Sequence, residues 1–117
     1  ISKHVLKPMK MHRFGKIVHV SSASGEKAAG RDSAYASSKA GLIRLVESVK
    51  EEVKDFEINI NCILPTIIDT PSNRLAMPSA DFHKWLKPQD LAKVILFLCS
   101  EDSKSINGYA IRTSGYA

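Results

Sequence analysis

The chain has 117 residues, 44% of them hydrophobic and 25% charged, with a formal net charge of +5, which leaves room for one small core and at most one domain. No apolar run approaches the ~18 residues that a membrane helix needs, and residues 1–13 hold too many Lys, His and Arg for the apolar centre of a signal peptide, so a cytoplasmic chain is expected. Basic residues are scattered among Asp and Glu, which argues for a solvated surface and against a nucleic-acid face; Cys62 and Cys99 lie in apolar runs without metal-site spacing, so two buried, reduced thiols and no metal are expected.

Residues 1–13 read as the last turns of a helix that begins upstream: Val5 and Met9 repeat at a four-residue step, and the basic end suits a helix C-terminus. Gly15 breaks the pattern, and Ile17, Val18 and Val20 suit a buried strand. Residues 21–31, with Gly25 and Gly30, read as a loop. From Ser33 the pattern turns helical, with Leu42, Leu45, Val46, Val49 and Val53 on one stripe. In its first half Ala36, Ser37, Ala40 and Gly41 form a small-residue surface that lets another helix or a flat ligand come close. Residues 55–57 make a turn, and 58–64 read as a second strand that Pro65 stops.

Residues 66–86 include Pro71, Pro78 and the cluster Ser79-Ala80-Asp81 and have no sustained period, which predicts a long loop with one helical turn. Loops of that length inside compact domains are usually functional. Pro88 fits the first turn of a third helix over 89–100, with Leu91, Ile95 and Leu98 facing inward. A turn over 103–108 and a short strand over 109–113 follow. Strands alternating with helices predict an α/β fold with parallel pairing and right-handed crossovers. A doubly wound sheet usually has about six strands, so further strands are expected upstream.

The strongest chemical feature is Tyr35-Ala36-Ser37-Ser38-Lys39, because a four-residue step puts a phenol and an ammonium on one helix face. A free phenol donates its proton poorly at neutral pH, and a nearby ammonium makes it a better donor. Such a pair can protonate a carbonyl oxygen as hydride arrives at the carbon. Ser22 ends the first strand, at the carboxyl edge where parallel sheets bind ligands, and its hydroxyl can hold the same oxygen. His19 points away from that edge and is expected to be structural. Met77, Phe82 and Trp85 are equally suited to close the loop or to touch substrate, and Asn73 and Arg74 to bond the loop or the substrate.

Gly15-Lys16-Ile17-Val18-His19-Val20-Ser21-Ser22, then Gly25, then Tyr35 through Gly41 together resemble the catalytic segment of the short-chain dehydrogenase/reductase family, and the likeness covers nearly the whole chain. The resemblance implies the C-terminal part of a doubly wound, Rossmann-like parallel sheet. Residues 1–117 would be the C-terminal half of a single domain whose N-terminal cofactor-binding half is absent. It implies an oxidoreductase that passes hydride between NAD or NADP and a small carbonyl or alcohol, with Ser22, Tyr35 and Lys39 as catalytic residues. It also implies a homo-oligomer, since the helix over 33–54 belongs to the surface through which family members associate.

Asn61 through Pro71 is similar to the family stretch behind the nicotinamide, which implies cofactor contacts from Pro65, from Ile68 through its backbone and from Thr70, beside Tyr35 and Lys39. Thr66 stands where the family usually has Gly. The stretch from Asp69 to Phe82, with Trp85, resembles the corresponding loop of dihydropteridine reductase, a member lacking the serine that this chain has at Ser22; a pterin reductase is the alternative substrate reading. The close, Asn107 through Gly115, resembles the family's last strand, with Tyr116 where a second Gly is common. No glycine-rich phosphate-binding turn occurs, so the choice of NAD or NADP is not written in these residues and the isolated chain is expected to be inactive. The alternative from another class is a truncated, noncatalytic interaction module.

Overall fold

A computed structural model of the chain describes residues 1–116. Helices and strands alternate as α1 (Ser2–His12), β1 (Gly15–Val20), α2 (Ser33–Val53), β2 (Ile58–Pro65), α3 (Pro71–Ala76), α4 (Pro88–Leu98) and β3 (Ala110–Thr113), with single 3-10 turns at Ala23–Gly25, Lys54–Phe56, Phe82–Lys84 and Glu101–Ser103. The strands form one parallel sheet in the order β1-β2-β3, with Gly15 opposite Ile58 and Cys62 opposite Ala110. Parallel neighbours need crossovers, and α2 and α4 supply them. No helix among the described residues is long and apolar enough to cross a membrane.

β2 is buried along its whole length, because both of its faces are covered. Ile60, Cys62 and Leu64 pack on Ile43 and Val46 of α2, and Ile58 packs with Leu6 of α1 and Val53. On the other face Ile63 packs on Leu91 and Leu98 of α4. Helices on both faces of a parallel sheet make the doubly wound arrangement. The two buried asparagines of β2 are satisfied by the turn before β3: Asn59 Nδ2 donates to the Lys104 and Ile106 carbonyls at 2.9 and 3.0 Å, and Asn61 Nδ2 to Ile106 at 2.8 Å. Their carboxamide oxygens accept from Lys16 Nζ and the Tyr109 N–H.

Three expectations are corrected. β1 lies at the edge of the described sheet, so it is only half-buried and Val20 is exposed. The buried stripe of α2 runs through Ala36, Ile43, Val46 and Val53, whereas Leu45 is exposed, because Ile43 and Val46 face the sheet and Leu45 is left on the open groove between α2 and α1. Cys62 is buried as expected, and burial pushes its thiol up, but Cys99 follows the buried Leu98 and turns outward at the end of α4.

Candidate active site

β1 and β2 end side by side, and the Ser21 N–H extends their pairing to the Ile63 carbonyl at 2.9 Å. Ser22 then caps the 3-10 turn, accepting the Ser24 N–H at 3.1 Å. A hydroxyl that accepts there keeps its own proton to donate elsewhere. The turn docks on α2 at Lys39. Ser21 Oγ donates to the Lys39 carbonyl at 2.7 Å, and a Cβ on Gly25 would stand 2.7 Å from the Lys39 carbonyl carbon and 2.9 Å from the Ala40 nitrogen. No side chain fits between the two backbones, which is the physical reason for glycine here.

Tyr35 lies in the first turn of α2, about half exposed, with Lys39 one turn further on the same face. Lys39 Nζ stands 5.6 Å from the Tyr35 ring centroid and donates to the Val20 carbonyl at 3.2 Å. Ser22, Tyr35 and Lys39 open into one cavity of about 550 Å³. Pro65 and Ile68 also line it, with Asn73 from α3 and Met77, the residue that follows α3.

The structure therefore gathers five of the six residues selected from the sequence. Thr70 stands outside the cavity wall and caps α3, its hydroxyl accepting the Asn73 N–H at 3.2 Å. Asn73 also donates through Nδ2 to the Ile68 carbonyl at 2.7 Å, so it both lines the cavity and braces its wall. Arg74 turns to Asp69 instead of the cavity. Trp85 is buried against the ring of Phe82, with centroids 4.8 Å apart. His19 meets Ser2 Oγ at 3.0 Å, and burial holds its imidazole below the usual value, in keeping with a structural role.

The family model for enoyl-(acyl carrier protein) reductase matches residues 1–115. The chain belongs to the short-chain dehydrogenase/reductase family. Similar family members include the 3-oxoacyl-(acyl-carrier-protein) reductase of Chlamydia trachomatis serovar D, 32% identical over 120 residues that cover 95% of this chain and 48% of that protein. The 2-dehydro-3-deoxy-D-gluconate 5-dehydrogenase of Formosa agariphila is 30% identical over 126 residues, covering 98% of this chain and 48% of that protein. Among solved structures, a variant of ElxO with NADPH bound superposes with a TM-score of 0.84 at 29% identity, covering 95% of this chain and 49% of that one. The chain thus spans about half the length of the short-chain dehydrogenase/reductase relatives it matches.

Proposed function

We propose that the protein containing this segment is an NAD(P)-dependent oxidoreductase acting on a small carbonyl or alcohol, and that these residues are the C-terminal half of its single domain. The observation that carries the reading is the meeting of Ser22, Tyr35 and Lys39 in one cavity at the carboxyl ends of β1 and β2. The cavity volume falls within the roughly 300–1,000 Å³ usual for a small-molecule site and suits a nicotinamide ring with a small substrate beside it. Tyr35 and Lys39 on one side, with Pro65 and Ile68 on the other, would hold that ring. Thr70 would reach the cofactor only from beyond the wall. When bound, the nicotinamide supplies or accepts the hydride.

The chain's own residues handle the proton. Tyr35 donates from its phenol to the carbonyl oxygen during reduction and takes the proton back during oxidation. Lys39 Nζ donates to the Val20 carbonyl and stands 5.6 Å from the Tyr35 ring centroid, which puts a positive charge on the same helix face as the phenol. Ser22 donates its remaining hydrogen to the same oxygen and stabilises the charge that develops there. The NADPH in the ElxO variant supports a nicotinamide dinucleotide.

The two relatives, a 3-oxoacyl-(acyl-carrier-protein) reductase and a 2-dehydro-3-deoxy-D-gluconate 5-dehydrogenase, are matched at nearly equal identity, so the substrate is proposed only as a carbonyl or alcohol. The pterin-reductase alternative gains no support from Phe82 and Trp85, which pack on each other and do not line this cavity. Replacing Tyr35 with Phe in the full-length protein tests the reading. Turnover should fall at least about a hundredfold, the scale of a lost general acid, and near-normal turnover would overturn it.

The proposal includes self-association. Leu6, Met11, Leu45 and Val49 line an apolar groove between α1 and α2, and Met11 and Leu45 are exposed on it. A second copy of the protein would cover this strip. Leu45→Glu should lower the oligomeric state in sedimentation; an unchanged state would remove this groove from the interface.

A further inference from the structure

The segment between β2 and α4 is gathered on one carboxylate. The Asp69 side chain is only 6% exposed. It accepts from Arg74 Nε at 2.6 Å and Nη2 at 2.8 Å, one oxygen each, and from Lys87 Nζ at 2.7 Å. Lys87 donates again to the Phe82 carbonyl at 3.1 Å, and the Arg74 guanidinium lies 4.9 Å from the Phe82 ring centroid. Backbone bonds close the base of the segment, from the Asp69 N–H to the Leu86 carbonyl at 2.9 Å and from the Leu86 N–H to the Ile67 carbonyl at 3.1 Å. Asp69 thus joins the start of the segment to its short helix and to the entry to α4, and its partners Lys87 and Arg74 reach the 3-10 turn at Phe82.

An enclosed carboxylate is costly unless paired and hydrogen-bonded, and removing a partner leaves an uncompensated charge. The hydrogen bonds from Arg74 and then Lys87 hold Asp69 well below the usual carboxylate range, so it stays ionised and the three groups act as a unit. α3 begins two residues after Asp69 and carries Arg74, while Asn73 of α3 and Met77 at its end line the cavity. Moving Arg74 therefore moves the wall that faces Tyr35.

We infer that Asp69 is a positioning residue for the substrate side of the cavity: through Arg74 and α3 it sets how closely Asn73 and Met77 approach the bound molecule. Asp69 lines no part of the cavity itself. Its influence falls on substrate binding and selectivity, and the proton-transfer residues across the cavity are built independently of it. The inference rests on the reading of this cavity as the substrate site.

The test uses the full-length protein and compares Asp69→Asn, Asp69→Glu and Arg74→Met. Amide hydrogen exchange should speed up across residues 70–86 in Asp69→Asn and Arg74→Met, and stay unchanged across α2. Substrate KM should rise about tenfold or more in both, with kcat within about twofold and dinucleotide affinity unchanged, and Asp69→Glu should recover part of the loss. Unchanged exchange over 70–86 would overturn the inference. So would a fall in kcat at constant KM, or an equal loss of dinucleotide affinity, which would place Asp69 behind the cofactor. Arg74 is half exposed, so Arg74→Met keeps the test open if Asp69→Asn does not fold. Faster exchange in these variants combined with full turnover in Tyr35→Phe would leave the clasp standing and sink the functional reading instead.

Discussion

On the Ser22 side of the cavity, backbone rests directly on backbone. Lys39 accepts from Ser21 through its carbonyl and donates to Val20 through Nζ, while Gly25 presses on the peptide between Lys39 and Ala40. On the opposite side α3 stands away from the sheet and is held by the ion cluster at Asp69. The first wall is fixed by size at Gly25, which cannot give without a collision, and by hydrogen bonds to backbone carbonyls from Ser21 and Lys39. The second is fixed by charge, and charge can be removed by acid or by one substitution. In the proposed function the proton-transfer side and the substrate side would thus be held by different kinds of contact.

The sharpest way to break that comparison is to add one methyl group at Gly25. Gly25→Ala forces the serine turn off α2 and should lower kcat by about a hundredfold, with little change in substrate KM, because the displaced Ser22 no longer meets the oxygen that Tyr35 protonates. Steady-state kinetics decides it, and full turnover in this variant would show that the docking does not set the catalytic geometry. Ser21→Ala removes the neighbouring hydrogen bond without a clash and should cost about 1 kcal/mol of stability in thermal unfolding, with a smaller loss of kcat.

A milder perturbation separates the two walls by pH. Asp69 is held below its ordinary value of 3.8, so its pairing contributes stability that is fully present above that value and lost as pH falls toward the folded-state value. Exchange or proteolysis mapped by peptide from pH 5 down to pH 2 should loosen residues 70–86 before α2, and Asp69→Asn should be loose at every pH and lose that step. Simultaneous loosening of both regions would deny the segment its separate fastening.

Much of this architecture is legible from local pattern. Strand and helix periods locate all three strands and α1, α2 and α4 to within a residue or two, since those elements bury a face against the sheet. Tyr35 and Lys39 are legible as a candidate pair because helical spacing puts them on one face and, with Ser22 at the strand end before them, the segment resembles the family's as a unit. Partners far away in sequence are not legible. Asn59 and Asn61 interrupt an apolar strand, and their reason appears only when the turn before β3 lies against them. Arg74 could as well have met substrate until Lys87, eighteen residues from Asp69, closed the cluster. Cys99 looks like core because it ends an apolar run, yet one step of helical rotation past Leu98 turns it to solvent. Thr70 matches a family position, but its place as the cap of α3, outside the cavity wall, depends on how the chain turns after β2.

The claim that Tyr35 moves the proton is tested most directly by single-turnover kinetics on the full-length protein and its Tyr35→Phe variant, with dinucleotide affinity measured in parallel. The account predicts that the variant keeps its dinucleotide affinity while reduced cofactor is consumed at least about a hundredfold more slowly at saturating substrate. A single-turnover rate within a few-fold of the unmodified protein, at unchanged affinity, would contradict it.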